Sequence, residues 1–328
     1  MELKEFRNNA EKIIDVIDSI FVGDRSALIK ILCAVLANGH VLFEDYPGLG
    51  KTLLAKMIAK VMGCSWGRIQ FTSDLMPADI LGTRVWRGSS SEFVLEKGPI
   101  FTNILLADEI NRSPPKIQSA LLEAMEERQA TIEGTTYKLD RPFFVIATQN
   151  PIELEGTFPL PEAQLDRFML KMSTGYVRTL EMESEILRRR IQWRSDHPLD
   201  GIPTVIEKDI LLEMQDLVET GVYVDGQILD YISGIVRATR QHPAVEVGSS
   251  PRGGLALLKT SKAYAALSGR DFVTPDDVKT LAEEALGHRL ILKIEYEIDG
   301  NLTTSSIVEE VLSKITPPRG PARLRGTI

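Results

Sequence analysis

The chain has 328 residues, 43% of them hydrophobic and 26% charged, a balance that argues against general disorder and against a membrane class. A single core seldom grows past about 250–300 residues, so two domains are expected. The formal net charge of −8 works against a general nucleic-acid binder, whose phosphate contacts need clustered Lys and Arg.

The first residues, MELKEFRNNAEKIIDVID, carry acids and no apolar signal core, and no uninterrupted apolar run reaches spanning length. No transmembrane segment and a cytoplasmic location are the default expectations. Cys33 and Cys64 lie in apolar, helical-looking stretches and read as buried thiols rather than a disulfide or a metal pair. His40, His197, His242 and His288 have no ligand spacing, so no zinc site is expected.

Apolar residues recur with helical spacing from Leu3 to Ile20, and FVGDRSALIKILCAVLANG then reads as a turn and a second helix that stops at Gly39. HVLFE is a short apolar run rich in β-formers, a buried strand that feeds directly into a glycine loop, and KTLLAKMIAKVM reads as the helix after it. In that loop Gly48 and Gly50 permit a tight turn whose backbone N–H groups approach phosphate. Lys51 supplies charge to the outer phosphates, and Thr52 supplies a magnesium ligand. The pattern G-x-x-x-x-G-K-[ST] wants glycine where this chain has Asp45, at the point where the chain is leaving the strand. The stretch Pro47, Gly48, Leu49, Gly50, Lys51, Thr52 and Leu53 is therefore the candidate nucleotide-binding segment.

Further short apolar runs, RIQF, NILLA, FFVIAT and FMLKM, alternate with helical segments such as PKIQSALLEAMEE, which argues for a parallel sheet covered by helices. NILLADEINR delivers Asp108 and Glu109 at the end of a strand, one carboxylate to hold magnesium and the next to polarise an attacking water. FFVIATQNP ends on Thr148, Gln149 and Asn150, where an amide could hold that water or simply end the strand in an Asn-Pro turn. DILGTRVWRGSSSEFVLEKGPIF reads as a hairpin interrupted by a polar turn, with Trp86 a core-packing aromatic in the safer reading.

After about His197 the texture changes: HPLDGIPTV looks like a linker, and helices follow with almost no strand candidates until the tail ITPPRGPARLRGTI, read as extended or loose. An α/β domain over residues 1–198 and a helical domain over residues 199–328 are expected. Within the latter, Ser250 can cap a helix, Pro251 fits its first position and Arg252 sits on its first turn, while Thr274 in TPDD reads as a plain cap.

Together EDYPGLGKTLLAK, LLADEINRSPPKIQSALLEAMEE, VIATQNPIELEGTFPLPEAQLDRF and SSPRGGLALLKTSKAYAALSGRDFVTPDDV resemble the AAA+ ATPases, and within them the MoxR family, over Phe21 to Leu290. The resemblance implies an α/β fold, a P-loop parallel sheet core flanked by helices with a C-terminal helical lid domain. It implies ATP and Mg²⁺ as ligands, Val22 and Gly23 at the adenine pocket, and Asn150 as the polar sensor beside the γ-phosphate. Arg167, on its own a surface ion-pair residue, becomes the arginine finger that reaches a neighbouring subunit, and Arg252 becomes a second sensor borne by the lid. Arg112 stays open between a loop charge and a contact to the next subunit, and for Trp86 the resemblance adds a substrate contact as the alternative to core packing.

A homo-oligomer, a hexameric ring, is implied, acting as an ATP-hydrolysing chaperone that remodels or matures partner proteins, with metal-cofactor insertion among its tasks and a von Willebrand factor A domain protein as partner. A nucleotide-gated scaffold with little turnover and a magnesium-chelatase-like ATPase subunit are the alternatives. No nucleic-acid partner is expected.

Overall fold

The computed structural model describes residues 1–318 apart from residues 47, 89–91, 152–155, 178, 195–198 and 200. Pro47, three residues of the expected linker (His197, Pro198 and Asp200) and the end of the tail thus lie outside the described residues. Two helices open the chain, α1 (Leu3–Asp18) and α2 (Arg25–Leu36), and β1 (Val41–Glu44) runs through the glycine loop into α3 (Lys51–Val61). Next come β2 (Trp66–Gln70), the short α4 (Pro77–Leu81), and a hairpin of β3 (Gly82–Arg87) and β4 (Glu92–Lys97). β5 (Ile104–Asp108) precedes α5 (Pro115–Glu127), a second hairpin of β6 (Gln129–Ile132) and β7 (Thr135–Lys138), and β8 (Phe144–Gln149). After α6 (Glu162–Leu165) and β9 (Leu170–Met172), α7 (Leu180–Trp193) leads out of the sheet. The remainder is α8 (Lys208–Gly221), α9 (Gly226–Gln241), β10 (Val245–Val247), α10 (Pro251–Leu267), α11 (Pro275–Leu286), β11 (Ile291–Leu292), α12 (Ile294–Asp299) and α13 (Thr304–Lys314).

Five strands form a parallel sheet in the order β2-β5-β8-β1-β9. Because side chains alternate along a strand, the sheet separates two cores. Val41, Phe43, Ile104, Leu106, Phe144 and Ile146 face one, with α1, α2 and α3, whereas Leu42, Leu105, Ala107, Val145 and Ala147 face the other, with α5. Burial on both faces explains why these strands read as continuous apolar runs in the sequence.

The first core does not stop at the sheet: residues of α8 to α11 and α13 are buried in the same cluster as α1 and α2. Across this seam Gln215 Nε2 donates to Val35 O at 2.7 Å, and Lys30 pairs with Glu284, so the helical part is pinned on α2 by polar contacts as well as by apolar packing.

Two expectations need correction. Trp86 is not a core residue: it is 54% exposed on β3 and packs edge-on against the exposed Phe93 of β4, ring centroids 5.2 Å apart. A two-stranded hairpin with no layer packed over this face leaves the ring in solvent. The helical part also carries a small antiparallel pair, β10 with β11, too short to show a period in the sequence.

Candidate functional site

Parallel strands end at one edge, and here that edge gathers the candidate residues, as ligands of open α/β sheets require. The register sets Gln70 beside Asp108 and Glu44 beside Gln149. A cavity of about 520 Å³ at this edge is lined by Gly48, Lys51, Thr52, Asp108, Glu109 and Asn150, among others. A second, more apolar cavity of about 650 Å³ is lined by Phe21, Val22, Gly23, Tyr176, Ile186 and others, and both cavities share Gly48, Leu49, Gly50 and Leu53. The glycine loop is the common wall of a polar and an apolar chamber.

Gly48 and Gly50 sit at φ +85° and +78°, a region that costs L side chains about 1–2 kcal/mol. Gly50 then caps α3, whose first residue is Lys51, so free N–H groups and the positive end of the helix point to the polar cavity. Lys51 Nζ donates to Tyr46 O at 3.1 Å and to Asp45 O at 3.3 Å, and burial pushes its amine below the ordinary lysine value against the pull of Asp45, Asp108 and Glu109. A desolvated ammonium facing two carboxylates across a glycine loop fits a magnesium-bound triphosphate. Thr52 and Asp108, the expected magnesium ligands, both line this cavity, as does the carboxylate of Glu109, and oxygen donors of this kind suit the ion.

The two acids are engaged. Asp108 accepts from Thr148 Oγ1 at 2.7 Å and from Arg68 Nη2 at 2.7 Å. Glu109, in the left-handed region at φ +57°, accepts from Gln70 Nε2 at 2.7 Å and pairs with Arg112 Nε at 3.1 Å. Its own N–H donates to Thr148 Oγ1 at 2.9 Å, which fixes the backbone where the strain sits. Arg112, left open between two readings, turns back onto its own chain's Glu109. Asn150 is buried at the tip of β8 and lines the same cavity.

Arg167 and Arg252 are elsewhere. Neither is among the described residues lining the two cavities. Arg167 Nη1 donates to Leu122 O at 2.8 Å and pairs with Glu126 Oε2 at 3.1 Å, and Arg252 pairs with the other oxygen of Glu126. Arg252, expected as the lid's second sensor, rests here on Glu126. The reason is a lock at the base of α10: Ser250 caps that helix and donates to Asp166, and Arg289 donates to Asp166 Oδ1 at 2.7 Å and to Phe168 O at 2.7 Å.

Sequence reasoning missed Arg68, Gln70 and Glu126. Arg68 and Gln70 alternate with the buried Ile69 on β2, so a shared polar face was legible, but its neighbour was not. Glu126 carried no signal apart from the charged face of a helix.

Residues 40–170 match the model described as the ATPase family associated with various cellular activities, and residues 237–311 match the AAA lid domain. YeaC of Bacillus subtilis, itself uncharacterized, is 48% identical over 94% of this chain and 94% of its own. Chaperone MoxR1 of Mycobacterium tuberculosis is 39% identical over 94% of this chain and 82% of its own. A crystal structure from Cytophaga hutchinsonii, assigned provisionally as an ATPase, superposes with a TM-score of 0.89 at 39% identity, over 97% of each chain.

Proposed function

The chain belongs to the MoxR family of AAA+ ATPases, and from that premise we propose that it hydrolyses ATP with magnesium to drive chaperone-like remodelling of partner proteins. The observation that carries the reading is the meeting of a polar and an apolar cavity on one glycine loop. The polar chamber suits a triphosphate, and the apolar one, beside Val22 and Gly23, suits an adenine ring.

In this reading Pro47 to Leu53 wrap the phosphates, and Lys51 neutralises their charge. Thr52 and Asp108 hold magnesium, which when bound would draw electron density from the phosphoryl oxygens. Asn150 orients a water, and Glu109 takes its proton as the oxygen attacks the γ-phosphorus and ADP leaves. Arg68, Gln70 and Arg112 must first release the two acids. Arg167 and Arg252, paired on Glu126 outside their own subunit's cavities, reach the triphosphate of a neighbour. The loss of γ-phosphate then removes their counter-charge and biases the angle between subunits.

Residues 199–328 act in this reading as the lid. The hexameric ring, a von Willebrand factor A domain partner, metal-cofactor insertion and a cytoplasmic setting belong to the proposal on the family resemblance alone. No helix among the described residues is long and apolar enough to cross a membrane.

Phosphate release by the pure protein with ATP and Mg²⁺ is the test, read against Glu109→Gln. A rate no higher than that of the variant removes the enzyme and leaves a nucleotide-gated scaffold. One observation favours that second reading: Asp108 and Glu109 both have cationic partners in the same chain.

A further inference from the structure

β1 and β9 are parallel neighbours, with Phe43 beside Met172, so the chain leaves the sheet at Asp45 and at Ser173 side by side. Asp45 is 3% exposed, and a buried carboxylate is tolerable only where its lone pairs are used. Here they are. Oδ1 accepts from Ser173 Oγ at 2.5 Å and Gly175 N at 3.2 Å, and Oδ2 accepts from Thr174 N and Thr174 Oγ1, both at 2.9 Å. The next residue repeats the contact, with the Tyr46 and Tyr176 rings stacked at 5.7 Å and 21°.

The segment held in this way has a second duty. Thr174, Gly175, Tyr176 and Val177 line the apolar cavity, whereas Asp45 itself lines the polar one. A glycine at position 45 would make none of the four bonds. The loop's backbone does not need them: Asp45 N is held by Gln149 O at 3.2 Å, in continuation of the β1–β8 ladder.

We propose that Asp45, standing where the phosphate-loop pattern has glycine, is a positioning residue for base recognition, anchoring residues 173–177 as one wall of the adenine chamber. The inference rests on the nucleotide reading above and deepens it. The phosphates are gripped by the loop, and the base wall is gripped through Asp45.

The two grips separate in a binding experiment on the full-length protein, by calorimetry with Mg²⁺ and either ATP or inorganic tripolyphosphate. Asp45→Ala should weaken ATP about tenfold or more, the scale of losing hydrogen bonds to a charged group, with tripolyphosphate weakened less than about twofold, since removing a carboxylate from the polar cavity does not itself disfavour an anion. In turnover the same variant should raise KM and leave kcat within a few-fold. Thr174→Ala, which removes one donor and keeps the Thr174 N–H bond, should show the same selective loss in smaller measure, and it carries the test if Asp45→Ala does not fold. Equal losses for both ligands, or none for either, overturn the inference. Wild-type protein that binds neither ligand overturns instead the nucleotide reading, and wild type that prefers tripolyphosphate overturns the base chamber.

Discussion

Arg167 and Arg252 share a single counterion: they meet on the two oxygens of Glu126, one from the turn after α6 and the other from the first turn of α10. Two guanidinium groups on one carboxylate leave a net positive charge, and an anion carried by a neighbour can compete for both.

Neither arginine is among the described residues that line the two cavities at the glycine loop, so Arg167→Ala and Arg252→Ala should each abolish most turnover yet leave nucleotide affinity of the isolated subunit within about twofold. Mixing inactive Arg167→Ala with inactive Glu109→Gln should restore part of the activity, because the second protein supplies the arginine that the first one's intact site lacks. A mixture as inactive as its components would place the arginines in cis.

Gln70 and Arg112 occupy the Glu109 carboxylate oxygen that a base must offer to water. Gln70→Ala removes one of these two bonds, worth about 1–2 kcal/mol, and should raise the basal ATPase rate several-fold without partner protein. Phosphate release at saturating ATP reads this directly. An unchanged or lower rate would mean that Gln70 aims Glu109 rather than restrains it.

Those contacts mark the limit of what the chain reveals by itself. The glycine loop, the Asp108–Glu109 pair and the Ser250 cap were legible because their chemistry is contiguous and the surrounding period changes at the same residues. Gln70 and Glu109 were not, since their meeting depends on β2 lying next to β5, an order that hydrophobic spacing does not specify. Asp45 posed its question openly as a departure from glycine, but its partners at Ser173 to Gly175 follow β9, which becomes the neighbour of β1 only when the sheet forms. The expected boundary at residue 198 came from a change in texture, whereas the buried cluster continues from α2 into α8, α10 and α11. Local patterns show where elements stop, not which of them share a core.

Arg289 tests the lock that holds the Arg167 turn to the helical part. It is 8% exposed, and beyond its pairing with Asp166 it donates to the carbonyls of Asp166 and Phe168. Arg289→Met should lower stability by about 3–5 kcal/mol, since it strands a partly buried carboxylate and two carbonyls. Arg289→Lys should recover little, having no fork with which to reach all three oxygens. Chemical denaturation measures both, and a loss under about 1 kcal/mol for Arg289→Met would show that this lock does not hold the helical part.

Lys51 gives the site a pH signature. Burial lowers its amine below the ordinary 10.5 in the nucleotide-free protein, and a bound triphosphate would raise it again by adding negative charge. In the free protein the sign is unfavourable at neutral pH: folding keeps a desolvated ammonium, a cost that is relieved only as pH climbs from the lowered value toward the unfolded one. For binding the sign follows from the difference between the two states. Below the lowered value Lys51 is protonated with or without ligand, and affinity does not depend on its titration. Above it the free amine must take up a proton to bind, so ATP affinity should fall by up to tenfold per pH unit until the bound-state value is passed. Calorimetry in two buffers of different ionisation enthalpy should register this proton uptake on the alkaline side, and Lys51→Met should abolish it along with most of the affinity. Proton uptake that persists in Lys51→Met would assign the titration to another group and leave Lys51 without contact to the phosphates.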